Sequence, residues 1–137
     1  MTRSVPLITL CSCAAALTLS ACGTTTSTSN FKGEQHEAAQ RVADLQSDVA
    51  ASDESKICGT DLAPAIVTRL GGRKACENAV KHQLTQIDNP EVTIKSVKIA
   101  PGGKTATASV TSIHNGKTKA GTVALVKEGG RWTVAAP

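Results

Sequence analysis

The strongest constraint on this chain is a change of hydrophobic period at Pro90. Before it, apolar residues recur at helical spacing; after it they alternate within segments rich in Thr, Val and Ile, which is the pattern of half-buried strands. Three turn signals divide that second half. Asn115-Gly116 is a strong two-residue hairpin signal, and Gly102-Gly103 and Gly129-Gly130 supply glycine for the positive φ of primed turns. They predict four strands near 91–99, 104–113, 118–127 and 131–136. Pairing about Asn115-Gly116 sets Ala106, Ala108 and Val110 opposite Leu125, Val123 and Gly121. Pairing about Gly129-Gly130 adds Trp132 and Val134 beside Lys127 and Leu125, and the first turn adds Val97 and Ile99. A one-residue slip would turn every side chain over, so agreement of three separately read turns on one apolar face predicts an antiparallel meander. The other face carries Thr105, Thr107, Ser109, Thr111, Thr118, Thr122 and Thr133, as a solvated side does.

Three helices precede the sheet. Ala38, Val42, Leu45 and Val49 form the stripe of a helix running from Phe31 to Ala51, with Asn30 as its expected cap and Ser52-Asp53-Glu54-Ser55 as its break. Asp61 is the expected cap of a short second helix carrying Leu62, Ile66 and Leu70, with Pro64 in the first turn and Gly71-Gly72 after the end. Arg73 to Gln86 is the third, showing Cys76, Ala79, Val80, Leu84 and Ile87 on one side. Helices followed by a meander make an α+β domain with the helices on one sheet face. At 137 residues there is room for one domain. Phe31 and Trp132 are the only aromatics and no tyrosine is present, so base-stacking platforms cannot be built and nucleic acid is excluded as a partner.

The first 21 residues read as an export signal: Arg3, then an apolar run from Val5 to Ala21 that is short for a membrane span. Its ending, Leu19-Ser20-Ala21-Cys22, resembles the lipobox of bacterial lipoproteins. That resemblance implies cleavage before Cys22 and acylation of its thiol, and two acyl chains suffice for stable anchoring at the extracytoplasmic face of the cell membrane. Residues 22–30, rich in Thr and Ser, are then a tether, and residues 31–137 the domain. Formal charge is +4, too mild and too scattered to name a partner. Cys11 and Cys13 leave with the signal, so Cys58 and Cys76 remain as an even pair in an oxidising compartment, expected as a structural disulfide, with free thiols or metal as the alternatives. The wide gap between them lacks close-pair metal spacing, and His36, His82 and His114 share no motif, so no metal or cofactor is expected.

With "CGTDLAPAIVTRLGGRKAC", "GGKTATASVTS" and "VALVKEGGRWTVAAP", the chain resembles small actinobacterial lipoproteins with a domain like the nuclear transport factor 2 superfamily. The resemblance implies a cone in which a curved sheet wraps helices. Enzymatic members, isomerases and cyclases, place an acid or base and often a tyrosine in the cone. Here the expected inner face offers Ala106, Ala108, Val110, Val123, Leu125 and Trp132, candidate cleft-lining residues that cannot move a proton, with Trp132 expected first as a core plug in a chain so short of bulky side chains. A base would have to come from a helix, with His82 or a helix carboxylate as candidates. Ser29-Asn30-Phe31-Lys32 matches Ser-x-x-Lys without its companion motifs, and no nucleotide or metallohydrolase motif occurs. The sequence thus leads to a non-catalytic, membrane-anchored domain that binds a small apolar ligand or an envelope protein. The alternatives are a cone-pocket enzyme and a structural accessory of envelope machinery.

Overall fold

The computed structural model describes residues 26–87 and 91–136; the segment expected to be an export signal, Cys22 and the first part of the expected tether lie outside the described residues. Four strands form one antiparallel sheet in the order β1-β2-β3-β4: β1 Glu91–Ile99, β2 Thr105–His114, β3 Lys117–Glu128 and β4 Arg131–Ala136. The register is the one the turns imply, with Ala106 opposite Leu125, Ala108 opposite Val123, Val97 opposite Ala108 and Val134 opposite Leu125. Asn115 and Gly116 both take positive φ, 51° and 71°, as a type I′ turn requires. The first turn departs from the expected primed form. Gly103 N–H donates to the Ala100 carbonyl at 3.0 Å, so Pro101-Gly102 is the turn centre, with Gly102 at φ 90° in the position that favours glycine in a type II turn. Register survives because Ala100 N–H closes the loop onto the Thr105 carbonyl at 2.9 Å.

Two irregularities curve the sheet. Pairing of β1 with β2 shifts between Ile94 and Ser96, which leaves Lys95 outside the ladder, and pairing of β3 with β4 shifts between Ala124 and Leu125. The first has a reason in the sequence. Val92 and Ile94 are in one phase of alternation and Val97 and Ile99 in the other, so an extra residue is needed to turn all four inward.

Helix α1, Glu34–Ala50, lies across the apolar face of the sheet. It starts three residues later than its apolar stripe suggests: Gly33 occupies the cap position, with no side-chain cap, and Asn30 lies instead beside β1. Helix α1 ends at Ala50 and Ser52 takes positive φ, so the Ser52 to Ser55 segment breaks it as expected, and a new helical turn begins within that segment. Asp53 caps a single turn, α2 Glu54–Lys56, by accepting from Lys56 N–H at 3.0 Å, and the chain continues as a π-helical turn, Ile57–Asp61, closed by Leu62 N–H on the Ile57 carbonyl. Asp61 therefore ends that turn and does not cap the next helix. Helix α3, Pro64–Arg69, has Ala63 at its cap and proline at its first position, where the missing N–H has no intrahelical partner to lose. Ala63 N–H instead donates to the Val134 carbonyl at 2.8 Å, and Leu62 bridges Val134 in parallel, which covers part of the β4 edge.

Helix α4, Arg73–Leu84, is joined to the π-helical turn by the Cys58 to Cys76 disulfide, whose Cα atoms lie 6.0 Å apart. Ala38, Ala39 and Val42 of α1 pack on Ile94, Val97, Ala106, Ala108, Leu125, Trp132 and Val134. Alanines on both sides let helix and sheet approach closely. Thr105, Thr107, Thr118 and Thr122 face solvent as expected, whereas Thr133 is buried, its hydroxyl donating to the Val126 carbonyl.

Candidate functional site

The first half of α1 is seated on the sheet and its second half is not covered in the same way. Leu45 and Val49 continue the α1 stripe past the small alanines, and α4 brings Ala79, Val80 and Leu84 to face them, with Ile87 just past its end. With Ile57, Leu62, Leu70 and Val134 they enclose an open groove of about 510 Å³, in which His82 and Gln83 are the only polar lining residues. That volume lies within the range of small-molecule sites. Leu70 and Ile87 on its rim remain 41% and 40% exposed, the most a large apolar side chain shows among the described residues apart from Ile113. Proteins normally hide such side chains when they cluster around a concavity, so the groove is the feature of this surface that calls for an occupant.

The groove is not on the sheet face, whose small residues allow either a cleft or a closely packed helix; there α1 packs closely. Ala106, Ala108, Leu125 and Trp132 are fully buried in the core under α1, and Val110 and Val123 pack at its edge. None of the six lines the groove, whose one sheet residue is Val134. The physical reason is size: Ala38 and Ala39 let α1 sit down on Ala106 and Ala108, while the larger Leu45 is only partly buried against the core and, with Val49, lines the groove beside Val134.

Trp132 is a plug at the other end. It is 3% exposed, and its indole N–H donates to Glu34 Oε2 at 3.2 Å. Lys127 Nζ stands 5.7 Å from the ring centroid and bonds Glu34 Oε1 at 2.6 Å. The lysine's bond holds the Glu34 carboxyl below the usual carboxylate range, and Glu34 in turn raises Lys127. Arg41 Nε donates to the Trp132 carbonyl at 2.9 Å, which ties α1 to β4 between plug and groove.

His82 is exposed on the groove lining, with its ring Nδ1 3.4 Å from Gln86 Nε2. The titratable group that stands out is Asp61, which the sequence suggested only as a cap. It is 1% exposed, its Oδ1 accepts from Arg41 at 2.9 Å, and its Oδ2 is buried without a donor. The Asp48 carboxyl stands against it, and two carboxylates can bond only through a shared proton. Burial first, then Asp48, push the Asp61 carboxyl up to about 6 against the pull of Arg41. Asp61 adjoins a polar depression with Asp44, Ser47, Asp48 and Lys56, separate in its lining from the groove. Among the described residues no group of three His, Cys, Asp or Glu side chains is placed to hold a metal ion.

No family model and no curated protein matches the sequence. Among solved structures the chain is similar to one titled as a variant of Rd1NTF2_05, at 19% identity and a TM-score of 0.44, over 72% of this chain and 92% of that one.

Proposed function

We propose that the chain is a lipid-anchored, extracytoplasmic domain that binds a small apolar ligand, without catalysis, in the groove between α1, α3 and α4. The observation that carries this reading is the groove itself: about 510 Å³ lined by ten apolar side chains and two polar ones. Recognition there is burial of apolar surface, with His82 and Gln83 available to orient one polar end. Anchoring through Cys22 rests on the lipobox-like Leu19 to Cys22 segment. A Cys22→Ser chain is expected in the soluble fraction, and its persistence in membranes would contradict acylation.

The binding reading is tested by titrating the protein with anilinonaphthalene sulfonate and with palmitate. Leu70→Gln and Ile87→Gln change exposed rim residues and leave the core alone, so both variants are expected to fold. Each removes apolar area that a ligand would cover, and an affinity loss of about tenfold is expected, the equivalent of about 1.4 kcal/mol. Equal probe affinity in the parent and both variants would refute binding in the groove.

An acid-base enzyme is the second reading, and Asp61 is the observation in its favour, since a carboxyl near 6 titrates in the range useful for proton transfer. Its position argues for the first reading. The carboxyl is closed off at 1% exposure and occupied by Arg41 outside the apolar groove.

A further inference from the structure

We infer that the groove takes an acyl chain of a phospholipid from the bilayer to which the protein is tethered; this rests on the binding reading and on the Cys22 anchor. The argument is about which end of the fold the tether leaves. Thr26 is held on the domain by its hydroxyl, which donates to the Val92 carbonyl at 3.1 Å, and Thr28 reaches Gln40 of α1. Only three residues separate Cys22 from Thr26, four steps of chain and at most about 14 Å. The start of β1 is thereby kept close to the membrane surface.

One rim of the groove, at Ile87, reaches toward that same end, while its sheet residue Val134 sits on β4 at the level of Ile99. Ile87 on its rim is five residues from Val92, so the two lie within about 17 Å even along a fully extended chain. Helix α1 agrees: its Gln35, in the first turn, bonds the Val97 carbonyl far along β1, so its second half, with Leu45 and Val49, lies toward the β1 start. The hairpin tip beside Val92 adds a complementary surface. Ile113, opposite Glu91, is 44% exposed, and Lys117 and Lys119 follow it on β3. Ile113 pairs with Thr118, so the two lysines stand on the other face of the same hairpin end, and a tip carrying an apolar side chain and two cations suits the headgroup region of an anionic leaflet. The Trp132 plug and the Gly129-Gly130 turn sit at the far end, against the first turn of α1.

The experiment uses the full-length lipidated protein in vesicles of phosphatidylethanolamine and phosphatidylglycerol containing a trace of phosphatidylglycerol with a photoreactive diazirine at the end of one acyl chain. After illumination, label is expected on groove residues such as Leu84 and Ile87, and the Leu70→Gln, Ile87→Gln double variant is expected to lose it at least fivefold. Label confined to the tether and hairpin tip, or groove label unchanged in the double variant, overturns the proposal. Groove label that appears only in the Cys22→Ser chain overturns it too, because the protein's own anchor chain would then be the occupant. Palmitate binding in the groove with no phospholipid label refutes the bilayer source and leaves the binding reading standing; absence of both removes both. Fatty acids of increasing length are expected to gain up to about fourfold in affinity per methylene until the groove is filled.

Discussion

Asp61→Asn should make the protein less sensitive to pH, and at neutral pH no less stable. In the folded chain Asp61 is 1% exposed, with one oxygen on Arg41 and the other buried without a donor near Asp48. Arg41 also faces Asp44 at 3.7 Å, and Lys56 faces Asp48 at 3.5 Å, so the site holds three carboxylates and two cations. Its carboxyl is raised from 3.8 to about 6, which means that between those pH values the folded chain keeps a proton that the unfolded chain has released. Stability from this group is therefore fully present below pH 3.8 and is lost as the pH rises through about 6. The difference corresponds to at most about 3 kcal/mol. Asparagine keeps a carbonyl oxygen for Arg41, offers an N–H₂ to Asp48, and does not titrate. Urea unfolding with the disulfide intact, followed by Trp132 fluorescence from pH 4 to 7.5, should show the variant gaining on the parent by about 2 to 3 kcal/mol across that range. Other carboxylates act on both chains and cancel in the difference. If the difference between the chains stays constant within about 0.5 kcal/mol over that range, Asp61 is not a raised carboxyl and the reasoning fails. Asp61→Ala is the contrast: it removes the 2.9 Å carboxylate partner of Arg41, leaving it Asp44 at 3.7 Å and the Trp132 carbonyl, and a loss of about 1 to 3 kcal/mol is expected even at neutral pH.

Two further outcomes follow from the packing. Reducing the Cys58 to Cys76 bond, which closes a separation of 18 residues, should cost about 3 kcal/mol in urea unfolding at equal pH, and a loss near zero would show that the π-helical turn and α4 hold together without it. Trp132→Ala opens a cavity under α1 and strips a donor from Glu34, so a loss of about 3 to 5 kcal/mol is expected by calorimetry, whereas a mild effect would mean that the plug end can collapse.

Much of the sheet was legible because turn chemistry is local. Asn115-Gly116 and Gly129-Gly130 each specify a register by themselves, and alternation of side chains then decides which face is buried. The Lys95 irregularity was legible too, in the phase change between Ile94 and Val97, although it is easily passed over in a nine-residue strand. The helical half was harder. Asp61 and Pro64 look like cap and first turn, but a carboxylate three residues before a proline carries the same local signal whether it caps a helix or pairs with an arginine twenty positions away. The π-helical turn had no signal of its own, since Cys58 is held there by a covalent bond to α4.

The candidate site shows the same division. The apolar residues of the groove, Leu45, Val49, Leu70, Val80, Leu84 and Ile87, were all visible as helix stripes, and each stripe by itself reads as core. Sequence alone determined the helix-then-meander architecture, the apolar sheet face and the cysteine pair, because each follows from interactions among near neighbours or from counting. Only the tertiary structure decided that one half of the α1 stripe is buried and the other half lines an open groove. That outcome depends on how closely a helix can approach a curved sheet. Alanine against alanine closes the gap at one end, and the disulfide holds α4 where the gap stays open at the other.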